Sequence, residues 1–234
     1  GTSYLWSNGA TTATTTVSPT VTTTYTITVT NACGSATDNV VVTVNSLPVA
    51  SAGLDQNSCA GQSVVLTATG GISYLWSNGN TTASVTVSPT TTTTYMVIVT
   101  GASGCSATDN VVVNVNPLPS APTISAGGST IFCSGGSVVL TASAGYVAYS
   151  WSTGATTSAI TVTTSGNYTV RGVNSNGCTS NESSAIAVTV NSVPVSGAGN
   201  DTAICTGQSI ALTATGGTSY LWSNGATTAT TTVS

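Results

Sequence analysis

CAGQSVVLTATGGISYLWSNG, from Cys59 to Gly79, is the stretch on which the fold turns. Val64, Leu66 and Ala68 alternate with Val65, Thr67 and Thr69, and after Gly70-Gly71 the run Ser73-Tyr74-Leu75-Trp76 alternates again. Side chains two residues apart share one face of an extended strand, so both runs predict half-buried strands and neither has a helical period. Asn78-Gly79 then supplies a tight-turn signal.

Related segments begin at Cys133 (CSGGSVVLTAS) and Cys205 (CTGQSIALTATG), and SYLWSNG has a counterpart in AYSWSTG at Ala148. Residues Gly1 to Ser18 recur without change as Gly217 to Ser234, an offset of 216, and Trp6, Trp76, Trp151 and Trp222 lie 70, 75 and 71 residues apart. A fixed period of this kind marks tandem repeats. Three units of about 70 residues make the larger period, and unbroken identity over 18 residues points to recent duplication in a long array. The chain opens inside a repeat and is expected to be an excerpt of a larger exported polypeptide.

Downstream of each tryptophan come a Thr/Ser-rich strand and a strand opening with tyrosine (YTITVT from Tyr25, YMVIVT from Tyr95, YTVRGV from Tyr168). A Gly/Asn/Ser loop carries a second cysteine, and a last strand (NVVVTVN, NVVVNVN or SAIAVTVN) ends each unit. Leu47-Pro48, Pro117-Leu118-Pro119 and Val193-Pro194 mark the junctions. The expected organisation is the C-terminal part of one repeat at 1–47, complete repeats at 48–116 and 117–192, and the N-terminal part of a further repeat at 193–234. About seven short strands per unit, with frequent turn signals, predict an all-β fold: tandem immunoglobulin-like antiparallel β-sandwiches joined head to tail.

Comparison of the repeats assigns the faces. Thr26, Thr28, Thr169 and Arg171 occupy positions that face water, so Tyr25, Tyr95 and Tyr168 are expected in the core with Ile27, Val29, Val97 and Val99. Leu75 is replaced by Ser150 and points out, which turns Tyr74 and the tryptophans Trp6, Trp76, Trp151 and Trp222 inward, against a sugar-stacking role for them. Met96 and Ile98 are apolar at outward positions and form a candidate lateral contact between chains or neighbouring units, set against ordinary surface scatter.

Composition excludes much chemistry. Charged residues are 3% of the chain, with Arg171 the one cation, no histidine, and a net charge of −4. Without histidine there is no Ser-His-Asp or Cys-His nucleophile and no imidazole ligand. One cation cannot track a phosphate backbone, so nucleic-acid binding is not expected. Apolar residues reach 40%, against disorder, yet no run approaches the roughly 20 residues of a membrane span. No catalytic residue, cofactor or metal is expected, and an isopeptide staple would need lysine.

Six cysteines remain. Pairing within units gives Cys59–Cys105 and Cys133–Cys178, closing loops of 46 and 45 residues, with Cys33 and Cys205 left unpaired by the chain ends. Such loops stabilise by roughly 4 kcal/mol on the chain-entropy estimate and imply an oxidising compartment; a metal site and free structural thiols are the rival readings. Asp55 and Asp201 precede the first cysteine, and Asp38, Asp109 and Glu182 precede the last strand, positions that suit either turn capping or Ca²⁺. Ser129 at the first acidic position of the third unit favours capping. The irregular spacing of the Thr runs, on a fold whose sheets twist, argues against ice binding.

With CAGQSVVLTA, SYLWSNG, TTTTYMVIV and GCS in this order, the chain resembles the Ig-like, PKD-type repeats of very large bacteroidete cell-surface proteins, over essentially its whole length. The resemblance implies export by type IX secretion and a place in a gliding adhesin or surface filament. It also makes Asp201-Thr202-Ala203 an O-glycosylation pattern centred on Thr202; Asn80, Asn167, Asn181 and Asn200 head N-glycosylation sequons. The function expected is a non-catalytic extracellular fibre region giving reach and mechanical strength. Its partners would be copies of itself and surface glycans. Adhesive modules, or spacers of a giant secreted enzyme, are the alternatives.

Overall fold

Thr, Val and Ser dominate the extended segments because branched and short side chains suit a pleated sheet and lose rotamer freedom in a helix. The computed structural model describes residues 1–234 and consists of strands and turns, with no helix. It divides into two units, Gly1–Pro117 and Leu118–Ser234. The fold is all-β, with immunoglobulin-like sandwiches in tandem.

In the first unit, β1 (Ser3–Trp6), β2 (Thr23–Asn31) and β3 (Gly34–Val42) form an antiparallel sheet in that order. A complete sandwich follows. Ser51 bridges Thr69 next to the antiparallel pair of β5 (Val64–Thr67) and β7 (Ser84–Val87). The facing sheet has the order β4-β9-β8-β6, from β4 (Gln56–Cys59), β9 (Ser106–Asn116), β8 (Thr93–Thr100) and β6 (Ser73–Trp76). β4 runs parallel to β9, whereas β8 is antiparallel to both β9 and β6. The chain therefore starts against one sheet at Ser51 and has crossed to the other by Gln56.

Between the sheets Leu66, Ala68, Trp76, Val97, Val99, Val111 and Val113 are each at most 2% exposed. Tyr74, Tyr95 and Val115 close the cluster from its rim. Burying residues the size of Leu66 or Trp76 stabilises by about 1.5–3 kcal/mol each. Leu75, on the other face of β6, is 46% exposed. The period-2 reading of both runs in Cys59–Gly79 is what the structure shows.

Local bonds explain why the WS dipeptide recurs. Ser77 N donates to Met96 O at 2.8 Å while Ser77 Oγ accepts Met96 N at 3.3 Å, closing the end of β6 onto β8. Ser7 with Thr26 and Ser152 with Thr169 repeat both bonds. Each tryptophan Nε1 donates to the carbonyl six residues on: Trp6 to Thr12, Trp76 to Thr82, Trp151 to Thr157 and Trp222 to Thr228. A buried indole thus keeps a hydrogen-bond partner.

In the second unit, β10 (Ile124–Ala126), β12 (Val138–Ala142) and β14 (Ala159–Val162) form one sheet. Facing it are β11 (Ile131–Cys133), β13 (Ala148–Trp151), β15 (Gly166–Tyr168), β16 (Val170–Val173) and β17 (Ile186–Asn191). β15 pairs with β17 and β16 with β13, so the tyrosine strand divides at Thr169. Beyond the division Ser183 Oγ accepts Val170 N and Ser180 Oγ accepts Gly172 N, and both serines are buried. Their hydroxyls stand where a neighbouring strand's carbonyls would. Leu140, Trp151, Val162, Tyr168, Val170 and Val188 form the core, and Tyr168 donates to Thr164 O at 2.9 Å across the turn before its strand. β18 (Ile210–Thr213) and β19 (Thr230–Val233) then pair as a two-stranded sheet.

Trp6 and Trp222, expected in the core with Trp76 and Trp151, are only partly buried. The β1-β2-β3 sheet has no second sheet among residues 1–47, and β18-β19 none among residues 193–234. Tyr25, in β2, is partly buried for the same reason, and Tyr95 sits at the rim of its core.

Candidate functional site

The residues singled out by sequence fall into three places: the sheet crossing, the two ends of each sandwich, and the outer face of β6 and β8.

At the crossing, Asp109 Oδ2 accepts Ala52 N at 2.8 Å, and Asp55 Oδ1 accepts Val112 N at 2.8 Å. The two carboxylates brace the segment that changes sheets from opposite sides. Hydrogen bonds from Ala52 N, and secondarily from Asn110 N, hold the Asp109 carboxyl below the usual carboxylate range, against a smaller opposing effect of desolvation. Asp38 accepts Asn39 N at 2.8 Å, and Glu182 pairs with Arg171 at 3.2 Å with both side chains about half exposed. Asp55, Asp109 and Asp38 therefore cap backbone donors. No three acidic, cysteine or histidine side chains converge as a metal-holding group.

The cysteines correct the sequence reading. Cys59 and Cys178 are disulfide-bonded, whereas Cys33, Cys105, Cys133 and Cys205 are free. The expected pairs Cys59–Cys105 and Cys133–Cys178 are therefore not formed, and the reason is the register. Cys59 lies opposite Asn116 at the last residue of β9, and Cys105 immediately precedes Ser106, its first residue. β9 has 11 residues, so the two cysteines are separated by roughly 35 Å at about 3.3 Å per residue. A disulfide needs Cα atoms within about 7 Å. Cys133 lies opposite Asn191 at the end of β17, and Cys178 lies in the loop after β16, where Asn174 N donates to Cys178 O. Similar loop lengths suggested a pair; they reflect only the two cysteines' fixed places at opposite ends of each repeat.

On the outer face, Met96 is 39% exposed and Ile98 partly buried, with Ile98 opposite Leu75 across the β6-β8 ladder. The apolar outward set is thus Leu75, Met96 and Ile98, one residue larger than sequence comparison suggested. In the second unit the matching ladder pair is Ser150 with Arg171. Thr202 is exposed. Ser180 and Ser183 were not singled out from sequence; in a loop that also holds Ser175 and Ser184, nothing marks these two as replacing a strand.

No protein-family model matches the chain, and no curated protein is similar to it in sequence. Solved structures aligned with it include the N-terminal eight Ig domains of Down Syndrome Cell Adhesion Molecule, at 15% identity and TM-score 0.28, covering 91% of this chain and 40% of that one. Titin domains A168–A170 align at 20% identity and TM-score 0.30 (73% and 75%). A Ca²⁺-stabilized adhesin of an Antarctic bacterium that binds ice aligns at 14% identity and TM-score 0.33 (83% and 65%). The assignment to Ig-like sandwiches rests on the sheet order and the two cores described above.

Proposed function

We propose that the chain is a load-bearing spacer region of an extracellular fibre or adhesin, without catalysis of its own. The observation that carries this reading is the reuse of one unit along the chain, identical residue for residue between Gly1–Ser18 and Gly217–Ser234. The same tryptophan-to-carbonyl bond closes the same turn in all four repeats. A binding or catalytic module differs from its neighbours in its loops, whereas these loops are mostly Gly, Ser, Asn and Thr. Short proline-containing junctions limit bending, and each sandwich adds length of order 35 Å from its longest strands. The disulfide favours an oxidising compartment outside the cytosol.

The resemblance to bacteroidete surface repeats supports type IX export and sugar on Thr202, which would solubilise a surface so poor in charge. The Leu75, Met96 and Ile98 face favours lateral packing between fibres as a second role of the same array. Electron microscopy of the native material tests the main reading. Filaments with an axial repeat of one or three sandwiches are expected; a single globular particle carrying an unrelated enzyme would overturn it.

A further inference from the structure

Arg171 is the one Lys or Arg in the chain, so the Arg171-Gly172 bond is the one that a protease specific for basic residues can cut. Such an enzyme binds its substrate as an extended strand, with the basic side chain in an acidic pocket and the flanking backbone paired to the enzyme. The bond lies in β16, and each of those groups is already engaged. On one edge, the ladder to β13 sets Arg171 opposite Ser150 and Gly172 opposite Tyr149. On the other edge, Ser183 N donates to Val170 O at 2.9 Å while its hydroxyl accepts Val170 N at 3.1 Å. Ser180 repeats both bonds with Gly172, at 2.8 and 2.9 Å.

Asn181 and Glu182 therefore stand opposite the single residue Arg171, two against one as in a β-bulge, a feature that re-aims side chains. Here it turns Glu182 onto the guanidinium, Oε1 to Nη2 at 3.2 Å. The face is covered too, because a methyl group on Gly172 would overlap the ring of Tyr146. The Tyr146 hydroxyl donates to Ser120 O at 2.8 Å, and its ring meets Tyr149 edge-on with centres 5.8 Å apart. Val170 and Gly172 are buried, and of the three residues only Arg171 is exposed. The corresponding strand β8 has no such cover: Ile98 stands in the place of Arg171, opposite Thr108 in an unbroken ladder. The bulge accompanies the arginine.

We propose that Arg171-Gly172 is a guarded cleavage site, closed to trypsin-class serine proteases while residues 180–183 lie along β16 and open when that segment lifts. Hydrolysis there breaks one C–N bond with one water, leaving a carboxylate on Arg171 and an amine on Gly172. The enzyme meets the bond only in a locally opened state, so the cleavage rate follows the population of that state. The guard makes this sandwich resistant to that protease class, independent of whether the array forms filaments.

Trypsin digestion of the full 234-residue chain tests the guard, with fragments resolved after reduction. The native chain should stay intact over a time in which the heat-unfolded chain is cut completely into 1–171 and 172–234. Ser180→Ala and Ser183→Ala each remove an acceptor, and each should speed cleavage roughly tenfold, the equivalent of about one hydrogen bond. Tyr146→Ala clears the face without touching either edge and should speed cleavage by a smaller factor; it decides the matter should a serine variant fail to fold. Leu140→Val loosens the facing sheet and should speed cleavage less than a serine variant of equal melting temperature. Rapid cutting of the native chain, folded guard variants cut no faster than native, or equal acceleration by Leu140→Val would overturn the proposal.

Discussion

The carboxylate of Asp109 on β9 holds the backbone N–H of Ala52 at 2.8 Å, tying the last strand of the sandwich to the point where the first leaves its sheet. Asp55 returns the favour three residues on, accepting Val112 N. An unpaired N–H at such a crossing has no ladder partner, so a carboxylate is the group that spares it from being buried unsatisfied.

Asp109→Ala should lower the stability of the sandwich built from β4 to β9 by about 1 kcal/mol, the net worth of a typical hydrogen bond. The sign of the pH effect follows from the depressed native value. Stability from this group is fully present above the unfolded carboxylate value near 3.9 and is lost as pH falls through the native one. Asp109→Asn should therefore flatten part of the acid limb in thermal melts between about pH 5 and 2. An unchanged limb would remove the carboxylate from the crossing.

Trp76 and Trp6 occupy the same place in two repeats but not the same environment. Trp76→Ala should cost about 3–5 kcal/mol, comparable to the whole stability of so small a core, and abolish one calorimetric transition. Trp6→Ala should cost about 1 kcal/mol, the ordinary effect of a substitution outside a closed core. Equal losses would contradict the difference in burial.

Gly70 adopts φ +100°, and a methyl group there would overlap the carbonyl oxygen of Val49. Gly70→Ala should destabilise by about 2–4 kcal/mol through backbone strain and overpacking together. Gly61 has φ +77° but open space around its Cβ position, so Gly61→Ala should cost about 1 kcal/mol from conformation alone. Urea midpoints of the two variants distinguish the contributions.

Ser180→Ala and Ser183→Ala each strip a buried N–H of its acceptor, Gly172 N in one case and Val170 N in the other. A loss of about 1–3 kcal/mol is expected for each. Hydrogen exchange should quicken first at the amide that loses its partner.

Replacing Met96 and Ile98 together by Thr should leave the melting temperature nearly unchanged, within about 0.5 kcal/mol, as outward positions allow. If fibres pack through this face, light scattering at high concentration should fall. Unchanged scattering and filament thickness would dismiss the lateral contact.

Much of this was legible in the order of residues. Alternation at Val64-Leu66-Ala68 and Tyr74-Trp76 gave strands and faces, because period-2 burial is a local property of an extended chain. Asn78-Gly79 gave the turn, since Gly79 at φ +84° is a conformation that other residues resist. The repeat and the absence of histidine and lysine narrowed the chemistry before any contact was known.

Tertiary structure alone decided that the two cysteines of the repeat holding Cys59 and Cys105 lie at opposite ends of β9. Equal spacing in sequence says nothing about the end of a sandwich to which a loop returns, and that depends on the parallel register of β4 on β9 and of β11 on β17. It also decided that the tyrosine strand of the third repeat breaks at Thr169, where Ser180 and Ser183 replace a strand's carbonyls. Both are non-local pairings between segments whose own composition is neutral, so the physical information lies in the register and not in the residues.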